Sequence, residues 1–330
     1  MKICIVKLSA MGDIIHAMAA LQFIKKKLPT CTIDWIVEEG FKGVLENNPH
    51  INNILPISLK SIKKKKYEIF NQIKILKEYS KNNYDLVIDA QGLLKSAIVS
   101  KIVGGKVVGS KIVGYSKDSI REGIASYFYD EKVKIGYARN TIDRNVKVLC
   151  EPCGVKVNED KILAKKPFLY FEKTAEEKLE EKYNLFVIGS TWESRNYPKE
   201  KFVQIAEELK TMTYIVWGSE EEHEKAIWME QQSEYLKVLP RDSLNRLKEV
   251  IASCNILIGN DTGPTHMAWG LNVPSITIFG PTPVNRVYIT PINKVVKSKS
   301  KVNHLKLNKN DFSICDIDVS DIINVIKDIK

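Results

Sequence analysis

Ile256-Leu257-Ile258-Gly259-Asn260-Asp261-Thr262-Gly263-Pro264-Thr265-His266 runs from an apolar strand through a polar, glycine-containing turn toward an apolar helix that the pattern predicts to begin near Met267. A short buried strand feeding a helix is half of a βαβ unit, and such units build parallel sheets whose ligand loops follow the strands. The turn has the chemistry of an anion site. A helix N-terminus offers unpaired N–H groups and the positive end of the macrodipole, Thr262 can add a hydroxyl, and Gly263 lets backbone approach an oxyanion. Asp261 does not fit beside phosphates, because like charges repel; it suits a hydroxyl-rich neighbour such as a sugar. The competing reading is an ordinary strand-to-helix turn with Thr262 as the cap.

Working outward, strands are predicted at residues 185–188, 214–217 and 275–279. Helices are predicted at 198–210, 224–232, 244–253 and 267–270, with Pro198 and Gly270 as boundary residues. The N-terminal half repeats the alternation. A strand at 3–6 and a loop at 7–12 lead to a helix at 13–27, closed by Lys25, Lys26 and Lys27 at the negative end of its dipole. Strands at 32–37, 54–57 and 86–89 and a helix at 93–103 follow. The fold class is therefore α/β, with two doubly wound domains, 1–160 and 161–330. Residues 155–167, polar and lysine-rich, read as the linker. The last helix, at 318–330, is a candidate to pack back on the first domain. Two such domains predict a cleft on which the loops after the strands converge.

At 330 residues and 44% hydrophobic, the chain is long enough for two cores. A formal net charge of +10 and a pI near 9.1 imply an anionic partner: nucleic acid, an acidic membrane surface or a phosphorylated substrate. Four consecutive lysines, residues 63–66, form a local positive field that is either a solvated loop or a site for phosphates or anionic headgroups. Nucleic acid is disfavoured, since no aromatics interleave the lysines and no helix-turn-helix or zinc pattern is present. The six cysteines are scattered, as in a reducing compartment. Cys150-Glu151-Pro152-Cys153 has no second pair of cysteines or histidines, so neither zinc nor another metal is expected. No signal peptide and no membrane span are read. The G-x-G-x-x-G and Walker patterns are absent, which removes support for hydride transfer and P-loop phosphoryl transfer; no cofactor is expected.

The candidate site residues sit in the predicted loops. Asp13, at the start of the first helix, is either a first-turn carboxylate favoured by the dipole or a general base toward an acceptor hydroxyl. Lys7, His16, Lys63, Lys64, Gln91, Lys95, Arg121 and Arg144 are the acceptor-side candidates, with Arg139 as a further cation. In the second half, Ser190, Thr191 and Arg195 can hold a diphosphate, and Glu222 suits the vicinal hydroxyls of a ribose.

With these residues assembled, the chain resembles the bacterial lipopolysaccharide heptosyltransferases of glycosyltransferase family 9. The resemblance rests on Lys7-Leu8-Ser9-Ala10-Met11-Gly12-Asp13-Ile14-Ile15-His16, Asp34-Trp35-Ile36-Val37-Glu38-Glu39-Gly40-Phe41 and Tyr84-Asp85-Leu86-Val87-Ile88-Asp89-Ala90-Gln91-Gly92-Leu93-Leu94-Lys95-Ser96. Arg121-Glu122 and Asp261-Thr262-Gly263 with His266 complete it. The second and third segments look more like members that add the first heptose than those that add the second. The resemblance implies a GT-B fold, two Rossmann-like domains facing a central cleft, and inverting, metal-independent transfer. ADP-L-glycero-D-manno-heptose would be the donor and the Kdo of Kdo-lipid A the acceptor, in inner-core biosynthesis at the cytoplasmic face of the inner membrane, with peripheral binding. Asp13 matches the general base, Ser190 and Thr191 a Thr-Thr pair, Glu222 the ribose acid, Asp261 the heptose contact, and Thr262 and Gly263 the phosphate turn. Arg195 stands where the family has lysine, and Asp242 where it has a methionine near adenine. Another family 9 transferase, or a non-catalytic nucleotide-sugar or anionic-lipid binding module, remains as an alternative.

Overall fold

The computed structural model describes residues 1–104, 109–174, 179–303 and 306–329; the side chains of Lys63 and Lys64 also lie outside the described ones. The chain divides into two compact units, Met1–Tyr170 and Phe171–Lys330.

The first unit is built on six parallel strands, β1 (Lys2–Val6), β2 (Thr32–Glu38), β3 (Asn53–Ile57), β4 (Leu86–Asp89), β5 (Lys111–Tyr115) and β6 (Glu131–Val133). Their order across the sheet is β3-β2-β1-β4-β5-β6. Ile3, Cys4, Ile5 and Val6 are all buried, as expected of a central parallel strand covered on both faces, where apolar runs replace alternation. The helix Met11–Lys27 buries Ile14, Ala17, Met18, Leu21 and Ile24 and carries Lys25, Lys26 and Lys27 in its last turn. It packs on the helix Thr141–Cys150.

The second unit holds β7 (Asn184–Val187), β8 (Thr213–Val216), β9 (Leu236–Val238), β10 (Leu257–Asn260), β11 (Ser275–Phe279) and β12 (Asn293–Lys297). Its order is β12-β11-β10-β7-β8-β9. Numbered from its own first strand, this is the same 3-2-1-4-5-6 arrangement as in the first unit, read from the other edge. The order reverses between β1 and β4 in one unit and between β7 and β10 in the other. Loops leaving the carboxyl ends of those strand pairs diverge to opposite faces and leave a crevice, the place where doubly wound sheets bind ligands.

Two expectations change. Residues 155–167 are not an open linker: the helix Glu159–Leu163 lies within them, and Ile162 and Phe168 are buried in the first unit. The helix expected near Met267 begins at Gly263 and runs to Leu271, with a proline in its first positions. Proline has its φ preset for the first turn and no N–H to satisfy, so a polar first turn is helical here. The C-terminal helix Val319–Lys327 packs on β11, β12 and the helix Lys199–Leu209, with Ile322 in the core of the second unit.

Gly114 in β5 has no room for a side chain. A Cβ there would lie 2.4 Å from the Tyr129 ring, and the ring is buried against the first core. Gly114→Ala is expected to lower stability by roughly 1–3 kcal/mol, the usual cost of overpacking. Thermal unfolding checks this, and a wild-type melting temperature would contradict the packing described.

Candidate functional site

In the first unit the loops after β1 and β4 are tied together by side chains from both. The Gln91 Oε1 accepts hydrogen bonds from the backbone N–H groups of Leu8 and Ser9, each at 3.1 Å. Lys7 is buried and its Nζ donates to the Ala90 carbonyl at 2.8 Å. Burial pushes the Lys7 ammonium below its ordinary pKa; the charges of Asp13 and Asp89 oppose that shift and Arg144 adds to it. Lys7, Asp13, Gln91 and Arg144 thus share one electrostatic neighbourhood at the switch point.

Asp13 occupies the first turn of its helix, where its carboxylate accepts weakly from the Ala10 N–H at 3.5 Å. It is partly exposed. A carboxylate held this loosely keeps most of its acceptor capacity for a ligand. Arg144 donates to the Ser119 carbonyl at 2.7 Å and lies over the rings of Tyr115 and Tyr137.

Beneath these residues lies one that was read only as part of a strand and a motif. Asp89, fully buried, accepts four hydrogen bonds: from the N–H groups of Gln91 and Gly92, from the Ser96 hydroxyl and from the Tyr129 hydroxyl, at 2.7–3.0 Å. Burial raises its pKa while these donors lower it. Asp89 therefore fixes the turn that presents Gln91.

His16 is buried on the Met11–Lys27 helix. Lys95 and Arg121 are exposed; the Lys95 charge acts on Glu38 at the end of β2. Lys63 and Lys64, by their side chains, lie outside the described residues.

In the second unit the centre is Asp261, just past β10 and 2% exposed. The Arg195 guanidinium donates to its Oδ2 at 2.8 Å and also to its main-chain carbonyl. The Thr282 hydroxyl donates to the same Oδ2 at 3.1 Å, and His266 Nε2 is hydrogen-bonded to Oδ1 at 3.1 Å. Burial alone would raise this carboxyl's pKa; the His266 hydrogen bond and the charges of Arg286 and Arg195 outweigh it, holding the carboxyl well below the usual range. Burial pushes Arg195 down in turn, against the pull of Asp261. Asn260 locks the arrangement from below, donating to the Ile188 carbonyl at 2.7 Å and accepting from the Tyr197 N–H at 3.0 Å.

Four further donor-side candidates lie on the segments that follow β10, β7 and β8. Thr262 holds the N-cap position of the helix Gly263–Leu271, yet its side chain makes no capping hydrogen bond. Ser190 donates to the Trp192 carbonyl at 2.9 Å, and Thr191 is exposed. Glu222, in the first turn of the helix Glu220–Glu230, accepts from the Gly218 N–H at 2.7 Å. A Cβ on Gly189 would lie 1.9 Å from the Glu222 Oε1, so the end of β7 and the end of β8 meet at this carboxylate only because Gly189 is bare.

Thr282 and Arg286, on the segment after β11, were missed. Neither has a spacing that marks it; only the sheet order, which puts β11 beside β10, brings them to Asp261. Among the described residues, no group of three or more His, Cys, Asp or Glu is placed to hold a metal ion.

Comparison with known proteins was made against this geometry. A family model described as glycosyltransferase family 9 (heptosyltransferase) matches residues 72–312. Lipopolysaccharide heptosyltransferase 1 of Campylobacter coli is 34% identical over an alignment of 348 positions, covering 100% of this chain and 99% of that one. The protein of the same name from Pseudomonas aeruginosa is 31% identical, covering 86% of this chain and 79% of its own. Among solved structures, E. coli heptosyltransferase WaaC with ADP superposes with a TM-score of 0.83 over 100% of both chains at 24% identity.

Removing the Asp261 carboxylate would leave Arg195 buried without its counter-charge. Asp261→Ala is expected to cost roughly 3–5 kcal/mol, the range for breaking a buried pair. Because the folded pKa is depressed, this stabilisation is complete above the unfolded aspartate value of about 4 and is lost as pH falls below it. Chemical denaturation of both proteins at neutral and acid pH tests this. Equal stability at neutral pH would contradict it.

Proposed function

The chain belongs to glycosyltransferase family 9, the heptosyltransferases, and from that premise we propose that it transfers L-glycero-D-manno-heptose from ADP-heptose to the Kdo of Kdo-lipid A. It is a glycosyltransferase of GT-B fold. The second unit would bind the donor and the first unit the acceptor.

The observation that carries this reading is at Thr262. It sits at a helix N-terminus without capping it, so a hydroxyl and the first-turn N–H groups remain for the oxygens of a diphosphate. Around it, Arg195 and Arg286 supply positive charge, with Ser190 and Thr191 on the neighbouring loop. Glu222, with one oxygen on the Gly218 N–H, retains acceptor capacity for two ribose hydroxyls. Asp261 and His266 would meet the heptose at the edge of their buried network, with Gly263 giving the backbone close approach.

The reaction is a single displacement. Asp13 takes the proton of the acceptor hydroxyl as its oxygen forms a bond to the anomeric carbon. The bond from that carbon to the diphosphate breaks on the opposite face, and ADP leaves with the electron pair. Charge growing on the leaving oxygen is held by the helix N-terminus and the two guanidinium groups, the kind of preorganised stabilisation that dominates many enzymes. Lys7 and Gln91 hold the Asp13 loop in place. Arg144, His16, Lys95, Arg121, Lys63 and Lys64 are assigned to the anionic acceptor, whose lipid places the enzyme peripherally at the cytoplasmic face of the inner membrane.

Two variants separate the halves of this reading. Asp13→Ala should lower transfer by at least about 10²-fold, the lower end for a lost general base, while calorimetry shows ADP binding unchanged; full transfer would sink the mechanism. Gly189→Ala should displace the Glu222 carboxylate and weaken ADP binding by roughly tenfold or more, the value of a charge-assisted hydrogen bond. An unchanged ADP affinity would remove Glu222 from the ribose site.

A further inference from the structure

Exposed large apolar side chains are concentrated in one part of the first unit. Phe70 is 74% exposed, Tyr127 72%, Tyr67 and Ile124 each 59%, and Ile69 and Ile98 each 43%. They come from three segments that are neighbours in space. The helix Glu68–Tyr79 packs on the helix Leu94–Gly104, which packs in turn on the 3-10 segment Gly123–Phe128. The Glu122 carboxylate joins the last two by accepting from the Leu94 N–H at 2.8 Å. Leu94 and Ile98 share a face one turn apart, and Ile124 and Tyr127 do so at a spacing of three.

Aromatic and branched side chains left this open cost solubility unless something covers them. Their flanks are cationic. Lys65 and Lys66 precede Tyr67, Lys95 and Lys101 share the Leu94–Gly104 helix, and Arg121 precedes the Gly123–Phe128 segment, all exposed. Two acids flank the patch and both are engaged: Glu122 has one carboxylate oxygen on the Leu94 amide, and Glu68, between Tyr67 and Ile69, accepts from the Asn71 side chain at 3.2 Å, so the five cations outnumber them. Apolar residues ringed by lysine and arginine complement a bilayer surface carrying anionic headgroups, where tyrosine rings and lysine stems favour the interfacial layer.

From this we infer that Tyr67, Ile69, Phe70, Ile98, Ile124 and Tyr127 form an interfacial anchor that inserts into the headgroup layer of an anionic bilayer, with Lys65 and Lys66 gripping lipid phosphates beside it. The choice of a bilayer as occupant rests on the reading of a lipid-linked acceptor. The anchor goes beyond a lysine run held by charge, because its apolar part is insensitive to salt whereas the lysine part is screened.

The test is cosedimentation of the full chain with vesicles of equimolar phosphatidylglycerol and phosphatidylcholine, and with phosphatidylcholine alone, at low and high salt. The variant is Phe70→Ser with Tyr127→Ser; both positions face solvent, and circular dichroism and the melting temperature confirm folding. Wild type is expected to sediment with the anionic vesicles, to bind phosphatidylcholine far less, and to keep part of its binding at high salt. The double variant should bind the anionic vesicles roughly tenfold more weakly, since each exposed aromatic loses its apolar burial, and should elute fully at high salt. Binding equal to wild type overturns the anchor. So does a change of oligomeric state by light scattering in the variant with vesicle binding intact, which would make the patch a self-interface. Neither donor nor acceptor is present, so a failure of heptose transfer leaves the anchor standing; transfer to detergent-dispersed acceptor by the double variant leaves the function standing if the anchor fails.

Discussion

A carboxylate taken out of water must be met by donors on nearly every lone pair, or the fold loses several kcal/mol. Each unit of this protein places such a carboxylate at the end of its fourth strand, beside its first. Asp89 closes β4 and accepts from two backbone amides, a serine and a tyrosine. Asp261 follows β10 and is met by an arginine, a threonine and a histidine. In both units the loops at the switch point are organised by satisfying that one group. The demand is local and electrostatic, and its consequence is geometric: Gln91 reaches the Asp13 loop from one, and Arg195, His266 and the segment after β11 converge on the other.

The two knots differ in how much charge they leave over. The partners of Asp89 are neutral, so that knot contributes rigidity while Lys7 and Arg144 supply the positive field around it. Asp261 has two guanidinium groups acting on it, Arg195 and Arg286, so cationic groups outnumber the carboxylate even with Arg195 bound to it. In the proposed reaction, this excess of fixed positive charge next to the uncapped helix N-terminus would stabilise the leaving diphosphate. Arginine at position 195 also explains how the pairing is made: its fork reaches both the side chain and the main chain of Asp261, a contact that lysine, as a point donor, would not make in the same geometry.

Much of this architecture was legible in the sequence because parallel strands declare themselves as short apolar runs. Residues 3–6, 86–89 and 275–279 are strands or lie within them for that reason. What was not legible depends on burial of polar residues. Residues 155–167 look like a linker by composition, yet Ile162 and Phe168 sink into the first unit and Lys165 is buried with them, its ammonium pushed down to about 7 by the loss of water. The helix at Gly263 was placed late because Thr265 and His266 read as loop. Both are buried, Thr265 donating to the Asn260 carbonyl at 2.7 Å and His266 bonding to Asp261. The pairing of Arg195 with Asp261 spans 66 residues of sequence, and no local pattern encodes it. Asp89 was in plain view in its motif, but only the sheet reveals that its four partners all belong to one turn, one helix and one tyrosine.

The central claim is that these two built switch points serve the transfer of one heptose to a Kdo sugar. Mass spectrometry of the product formed from ADP-heptose and a defined heptose-free Kdo-lipid A measures that directly, with an acceptor already carrying one heptose run beside it. A mass gain of a single heptose on the first acceptor, and none on the second, is the predicted result. Addition only to the heptose-bearing acceptor, or release of ADP with no glycosylated product from either, would contradict it.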